Sequence, residues 1–371
     1  MYITNLSLQH FRNFREVESI TFPARGLLVA VAPNAVGKTN FLESIYFALR
    51  GKSWRAQTGE CVQWGEDSFG ISLDLKRTQG ESRLAARYDA QRKVLALLEN
   101  GVPASLATFY SQYPLLVFLP DDTFMFYRGP SQRRNFLNTT LTALPHYFSS
   151  LVQYHRALRQ RNAALKTASQ ASDLEVWNRL LVEHSEPIWN QRRLFIDFLT
   201  MQLPQVYRDI GGEEGRLEIR FVPGVNTSAD FLATLAQAWP QETRYKHTLY
   251  GAHRDDMTIW YEGHQVQTAL SRGQMRLLVI ALKIVAYRYV EKLTGEEPLF
   301  LLDEVLSELD DGRQRRLLGH LPSSQILLTC TRLPAELKKR ADVHMIDLRA
   351  ILAPPDGIAQ EVPLLAATAT P

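Results

Sequence analysis

The stretch 32-APNAVGKTNFLESI-45 decides the fold. An apolar run, "GLLVAVA", leads into it and ends at Ala32; after it Phe41, Leu42, Ile45, Ala48 and Leu49 recur on one helical face, with Gly51 as the stop. Strand, short loop and a helix opening on Gly-Lys-Thr make a phosphate-binding loop, in which successive backbone N–H groups face an anion and the helix adds its positive end. In that geometry Lys38 reaches the β and γ phosphates of a nucleotide, Thr39 offers its hydroxyl to Mg²⁺, and Gly37 lets the backbone come close. The loop proper, Ala32, Pro33, Asn34, Ala35 and Val36, has alanine at two places where such loops usually carry glycine. A methyl group at Ala32 is the smallest addition possible. At Ala35 a left-handed backbone would cost about 1–2 kcal/mol. Taken alone, an imperfect loop of this kind also fits a chance Gly-Lys-Thr at a helix start.

Outward from the loop, "YITNLSLQHF", "FGISLDLKR" and "SRLAARYDAQRKVLALLENG" alternate as strands, the last as a hairpin. From Phe118 to Glu242 the period is helical, broken at "TASQASD". Strand character returns at "RLEIRFVPG" and "DDMTIWYEGH"; a helix over 273–293, a buried strand "PLFLLDE", a helix after Asp311 and a strand "QILLTC" follow. The alternation predicts an α/β sheet assembled from both ends of the chain. The expected division is a two-part head, 1–117 with 245–371, and an inserted helical domain, 118–244. The tail after Leu352, rich in Pro and Ala, reads as poorly ordered.

The chain has 371 residues, 45% of them hydrophobic, enough for a full core and two domains. Cys61 and Cys330 are the only cysteines and form no CxxC, so neither a disulfide framework nor a zinc site is suggested. No apolar run is long enough to cross a bilayer and the N-terminus does not read as a signal peptide, so a cytoplasmic protein without a membrane partner is expected. A net charge of +3 neither demands nor excludes nucleic acid.

Two further motifs join the loop. The strand "PLFLLDE" ends in Asp303, suited to the Mg²⁺ shell, and Glu304, suited to polarising an attacking water. The segment "LSRGQMRLLVIALKI" sets Ser271, Arg272, Gly273 and Gln274 at the start of an amphipathic helix, a second anion-binding end. Each has a plain reading as well: a buried strand that happens to end in acids, and an N-capped helix. Their order, GKT, then LSRGQ, then LLDE, then "SELD" with Asp310, is that of an ABC-type ATPase head, in which the signature of one protomer closes on the ATP held by another.

With "LSLQHFRNF", "NFLESI", "GKSWR", "VFLPDD", "RRNFLN", "GAHRDD" and "LSRGQMRLL" in this order, the chain resembles the RecF family from its first residues to about Thr331. The resemblance implies ATP and Mg²⁺ as cofactors, an ATP-dependent homodimer, slow ATP hydrolysis in a regulatory role, and recombinational repair and replication restart by binding duplex DNA near single-stranded gaps. RecR- and RecO-like mediators are implied as partners. By the same resemblance Arg12 and Asn13 lie near the nucleotide, Ser271 meets the γ phosphate across the dimer and Asp310 helps close the interface. The chain departs from the family pattern at Ala32 and Ala35, at Trp54, where His is frequent, at Ala252, where Pro is usual, and at Asp121, where Glu is common.

DNA is held mainly through phosphates, and two basic segments are candidates: Arg128, Arg133 and Arg134, and Arg156, Arg159, Arg161 and Lys166. A solvated basic helix surface is the competing reading of these charges. His253 reads as a hydrogen-bonded structural histidine, with Arg254, Asp255 and Asp256 tying domains or the dimer surface together. A transporter subunit would keep loop and signature closer together. A Rad50- or SMC-like protein would carry a long heptad arm, which Pro187 and the "TASQASD" break disallow here. An OLD-type nuclease would need a further acidic domain downstream. A degenerate head that binds DNA or a partner without hydrolysis stays open as an alternative; Glu304 argues against it.

Overall fold

A computed structural model describes residues 1–211, 214–225, 227–352 and 365–366. Most of the tail expected to be poorly ordered lies outside the described residues. The chain divides into two compact units, Met1–Asp122 with Val290–Pro371, and Thr123–Tyr289.

In the first unit, strands Val343–Asp347, Gly26–Val31, Gln325–Cys330, Leu299–Leu302 and Leu115–Phe118 lie side by side in that order, all parallel. Continuous apolar runs such as "LFLL" and "QILLTC" are what a parallel sheet covered on both faces requires, and both strands are buried throughout. A second, antiparallel sheet orders Phe14–Thr21, Tyr2–Phe11, Ser68–Arg77, Gly80–Asp89, Val94–Glu99 and Val102–Pro103. The helix Lys38–Arg50 packs against strands of both sheets. Phe41, Leu42, Ile45, Phe47, Ala48 and Leu49 are all fully buried, and so are Glu43 and Ser44, so the helix is enclosed nearly all round, as one between two sheets must be.

The second unit is mostly helical: Pro130–Leu141, Pro145–Ala164, Glu175–Gly211 and Ser228–Tyr245, with a small antiparallel sheet in which Leu217–Val222 pairs Asp256–Tyr261. The helix Arg272–Thr294 begins in this unit and runs past its boundary. Residues 245–289 thus group with the helical unit in compactness. Pro187, expected to interrupt the helical region, sits inside the 37-residue helix Glu175–Gly211, as does Pro204. An interior proline costs about 3 kcal/mol, and the neighbouring Ile188 and Trp189, both essentially fully buried, provide the packing that offsets it. Among the described residues no helix is long and apolar enough to cross a membrane.

Candidate nucleotide-binding site

The parallel register builds the site. Leu328 lies opposite Leu302, and Cys330 opposite Val31, so the C-terminal ends of three adjacent strands deliver the loop after Val31, Asp303 with Glu304, and Thr329 to Thr331 to one edge of the sheet. Ligands bind outside the carboxyl ends of the strands in open α/β sheets.

The loop wraps the Lys38 ammonium. Lys38, 5% exposed, donates from Nζ to Ala32 O (2.9 Å), Pro33 O (3.1 Å) and Asn34 Oδ1 (3.2 Å), and pairs with Glu304 Oε1 at 3.0 Å. Ala35 has φ +66°, so the left-handed conformation is real and its methyl group carries the strain. Gly37 has φ +115° and is the N-cap of the helix, with no side-chain hydrogen bond at that cap; the first N–H groups are thereby left for an anion. A Cβ on Gly37 would fall 2.6 Å from Asn13 Nδ2, so this glycine is required twice over. Asn13 itself donates to Val36 O at 2.9 Å and accepts from Asn40 Nδ2 at 2.6 Å, which fastens the N-terminal hairpin to the loop.

Asp303, almost fully buried, accepts the Thr39 hydroxyl on Oδ2 (2.9 Å) and the Thr329 hydroxyl on Oδ1 (2.6 Å). Burial raises its carboxyl above the usual range, and the two hydroxyls pull in the opposite direction. The Thr39–Asp303 pair is a hard-oxygen set of the kind that holds Mg²⁺ alongside phosphate oxygens, so these residues fit that ion. Glu304, the next residue, has φ +50°. Ala35 and Glu304 are thus both held left-handed at this one sheet edge, although left-handed non-glycine residues also occur elsewhere in the chain, at Lys93, Asn100 and Glu262 for example.

Beside the loop opens a cavity of about 660 Å³ lined in part by Arg12, Asn13, Asn40, Arg55 and Trp64. Its two arginines are held by Glu43, whose side chain is fully buried: Arg12 donates to it from Nε (3.0 Å) and Nη2 (2.7 Å), Arg55 from Nη2 (2.8 Å) and Ser53 from its hydroxyl (2.5 Å). Burial pushes the Glu43 carboxyl up, but the bonds from Arg12, Arg55 and Ser53 prevail and hold it below the usual range. Sequence reading brought out Arg12 and Asn13 and missed Glu43, Arg55, Trp64 and Thr329. The signal for Glu43 was available: a carboxylate among the apolar residues of a helix that had to be buried.

Ser271 and Gln274 cap their helix reciprocally, Ser271 N donating to Gln274 Oε1 (2.8 Å) and Gln274 N to Ser271 Oγ (3.3 Å); Ser271 is exposed and Gly273 half-buried. Asp310 is likewise an N-cap, accepting from Arg313 N at 2.9 Å. Of the basic candidates, two are consumed inside the fold. Arg161, 1% exposed, donates to Asn178, Thr248 and Glu242, and Arg133 forms a two-pronged pair with Asp256 at 2.7 and 2.9 Å. Neither guanidinium faces solvent, so both are corrected from phosphate contacts to structural residues. Arg134 donates to Asp255 O at 2.9 Å; Arg128, Arg156, Arg159 and Lys166 are exposed.

A parallel sheet with a phosphate loop, a strand-end Asp-Glu pair and an exposed Ser-capped signature helix defines the ABC-type class of ATPase heads. The chain belongs within it to the RecF family of DNA replication and repair proteins. A Moorella thermoacetica protein named DNA replication and repair protein RecF is 35% identical over 358 residues, 92% of this chain and 95% of that one. One of the same name from Trichlorobacter lovleyi is 31% identical over 341 residues, 89% and 92%. A solved structure of the recombination mediator protein RecF-ATP in the RecFOR pathway superposes with a TM-score of 0.83 at 26% identity, covering 94% of this chain and 96% of that one. An Smc head bound to the C-winged helix domain of ScpA shares the fold at a TM-score of 0.57 and 14% identity, covering 94% of each chain. No protein-family model matches the chain.

Proposed function

We propose that the loop from Ala32 to Thr39 binds ATP and that occupancy controls dimerisation on DNA in recombinational repair and replication restart. The observation that carries this is the Lys38 ammonium, held under the loop by three oxygens, beside a helix start without a side-chain cap. Lys38 exchanges Glu304 for phosphate, Thr39 and Asp303 hold Mg²⁺, and the cavity between Arg12, Arg55 and Trp64 receives the rest of the nucleotide. When bound, Mg²⁺ supplies charge neutralisation on the phosphates. Glu304, released from Lys38, accepts a proton from water in a slow hydrolysis. Ser271, Gly273 and Gln274 of a second copy close on the phosphates, with Asp310 at the same interface. The functional division follows as a head of 1–117 and 245–371 with the helical domain 118–244 inserted.

DNA, duplex with single-stranded gaps, is held through phosphates by the exposed Arg128, Arg156, Arg159 and Lys166, with Arg134 beside them. RecR- and RecO-like mediators are the protein partners. Light scattering with ATP, Mg²⁺ and gapped duplex tests the reading against Lys38→Met. An ATP-dependent dimer that the substitution abolishes is the expected result; a monomer throughout, binding DNA regardless of nucleotide, would instead identify a degenerate head acting as a binding module.

A further inference from the structure

One buried hydroxyl, that of Thr329, bridges the two strand-end acids. Thr329 is fully buried in the strand Gln325–Cys330, directly opposite the position where strand Leu299–Leu302 gives way to the acidic pair. Its Oγ1 accepts the backbone N–H of Glu304 at 2.9 Å and donates to Asp303 Oδ1 at 2.6 Å. A hydroxyl has a single proton; with an N–H arriving as donor and a carboxylate available as acceptor, the direction of both bonds is fixed. The other carboxylate oxygen of Asp303 faces Thr39 at 2.9 Å, and Glu304 holds its left-handed φ of +50° at the residue whose N–H is anchored. Thr331 adds only long contacts to Glu304, at 3.4 and 3.5 Å, from an exposed position.

We propose that Thr329 is the positioning residue of both acids. One hydroxyl orients the Asp303 carboxylate toward Thr39 and pins the turn that aims Glu304 at Lys38. The assignment rests on the nucleotide reading for what the two acids then do. Losing an outer partner that orients a metal-binding carboxylate typically costs about 10–100-fold in metal affinity. Valine reproduces the shape of threonine and removes the hydroxyl, leaving Asp303 Oδ1 and the Glu304 N–H without this partner, whereas serine keeps the hydroxyl and gives up a methyl group.

The test is fluorescent-ATP affinity in EDTA and in Mg²⁺ for wild type, Thr329→Val and Thr329→Ser, each checked for folding by circular dichroism. Thr329→Val is expected to cut the gain in affinity on adding Mg²⁺ by about 10–100-fold, with EDTA affinity and the Thr329→Ser gain both within about threefold of wild type. A merely structural threonine would weaken binding equally in both conditions, and that result overturns the assignment, as does a Thr329→Val protein that matches wild type. If Thr329→Val does not fold, Thr329→Ser decides: a retained Mg²⁺ gain upholds the assignment and a lost one sinks it. Wild-type protein that binds no ATP in either condition would remove the nucleotide reading and this assignment together.

Discussion

The loop site and the "GAHRDD" segment are both dense clusters of charge, and they are built on opposite plans. Arg254 is exposed, but Asp255 and the groups it pairs with are closed off inside the fold. The carboxylate, fully buried, pairs with Arg192 and accepts from Trp189 Nε1 (3.0 Å) and Gly224 N (2.7 Å), while Arg192 also donates to Ala252 O (2.7 Å) and Asn138 Oδ1 (2.8 Å). At the loop, two residues sit strained in left-handed conformations, the helix start lacks a side-chain cap, Glu304 is 24% exposed, and two arginines line an open cavity. Closed charge specifies a fold. Charge left open, with strain stored beside it, is how a binding site differs.

The largest effects should therefore separate by cluster. Asp255→Ala strands the Arg192 guanidinium, and Arg161→Ala strands Glu242, which is fully buried; each is expected to cost about 3–5 kcal/mol in urea unfolding. Lys38→Met should cost less, about 1–3 kcal/mol, because Glu304 is partly exposed and can turn to water while the Ala32 and Pro33 carbonyls lose a donor, yet it should abolish ATP binding. Arg159→Glu should leave stability within about 0.5 kcal/mol and weaken DNA binding at low salt, lowering the salt slope by about one phosphate contact. A Lys38 variant that unfolds as readily as the Asp255 variant would erase the distinction between the two plans.

Arg161 also shows how much was legible in advance. Tyr154, Ala157, Arg161 and Leu165 follow helical spacing and are all buried, whereas Arg156 and Arg159 lie on the exposed face. Phase, which the sequence carries, placed Arg161 inside; grouping it with its basic neighbours did not. The strand–loop–helix at Ala32–Ile45, the hairpin of Gly80–Asp89 with Val94–Glu99 and the buried strand before Asp303 were readable because each is local periodicity. Glu43 showed in the sequence only as a carboxylate in a helix that had to be buried, its partners Arg12, Ser53 and Arg55 being set by a hairpin turn and the loop after the helix; Thr329 was not legible, since Asp303 and Glu304 end another strand and only parallel register brings the three together.

A smaller effect sharpens the contrast through pH. The Nε2 of His253 faces Thr248 O at 3.1 Å, and a carbonyl only accepts, so Nε2 carries the proton and Nδ1 accepts from the Tyr154 hydroxyl at 2.6 Å. Burial holds this neutral ring's pKa down to about 4; the bond to Thr248 works against that shift, and the charges of Arg254, His155 and Arg134 reinforce it. The folded value is depressed below the unfolded 6.5, so the contribution to stability is complete above pH 6.5 and is lost as pH falls through about 4. His155, also lowered by burial, acts in the same direction; Asp255, raised by burial, acts oppositely, its contribution being lost as pH rises through its folded value. Unfolding measured from pH 7 to 5 should show His253→Gln flattening the slope by about 1 kcal/mol per pH unit or less. An unchanged slope would mean that the ring is not held neutral.

The smallest effect returns to the two alanines of the loop, and here the sign carries the information. Ala35 has φ +66°, where a Cβ is strained by about 1–2 kcal/mol, while glycine in its place would lose about 0.4–1 kcal/mol through the freer unfolded chain. Ala35→Gly should therefore be stabilising, by up to about 1.6 kcal/mol. Ala32 is not among the residues with positive φ, and its methyl group is 3% exposed in the core beside the parallel sheet. Ala32→Gly gains no relief from strain and gives up both a buried methyl and backbone restriction, so it should destabilise by about 1–2 kcal/mol. Opposite signs in thermal unfolding of the two variants would show that one departure from the glycine pattern is strain tolerated at an open site and the other is packing. Equal signs would show that the loop relaxes around Ala35, and would remove stored strain from the features that set the loop apart from the Asp255 cluster.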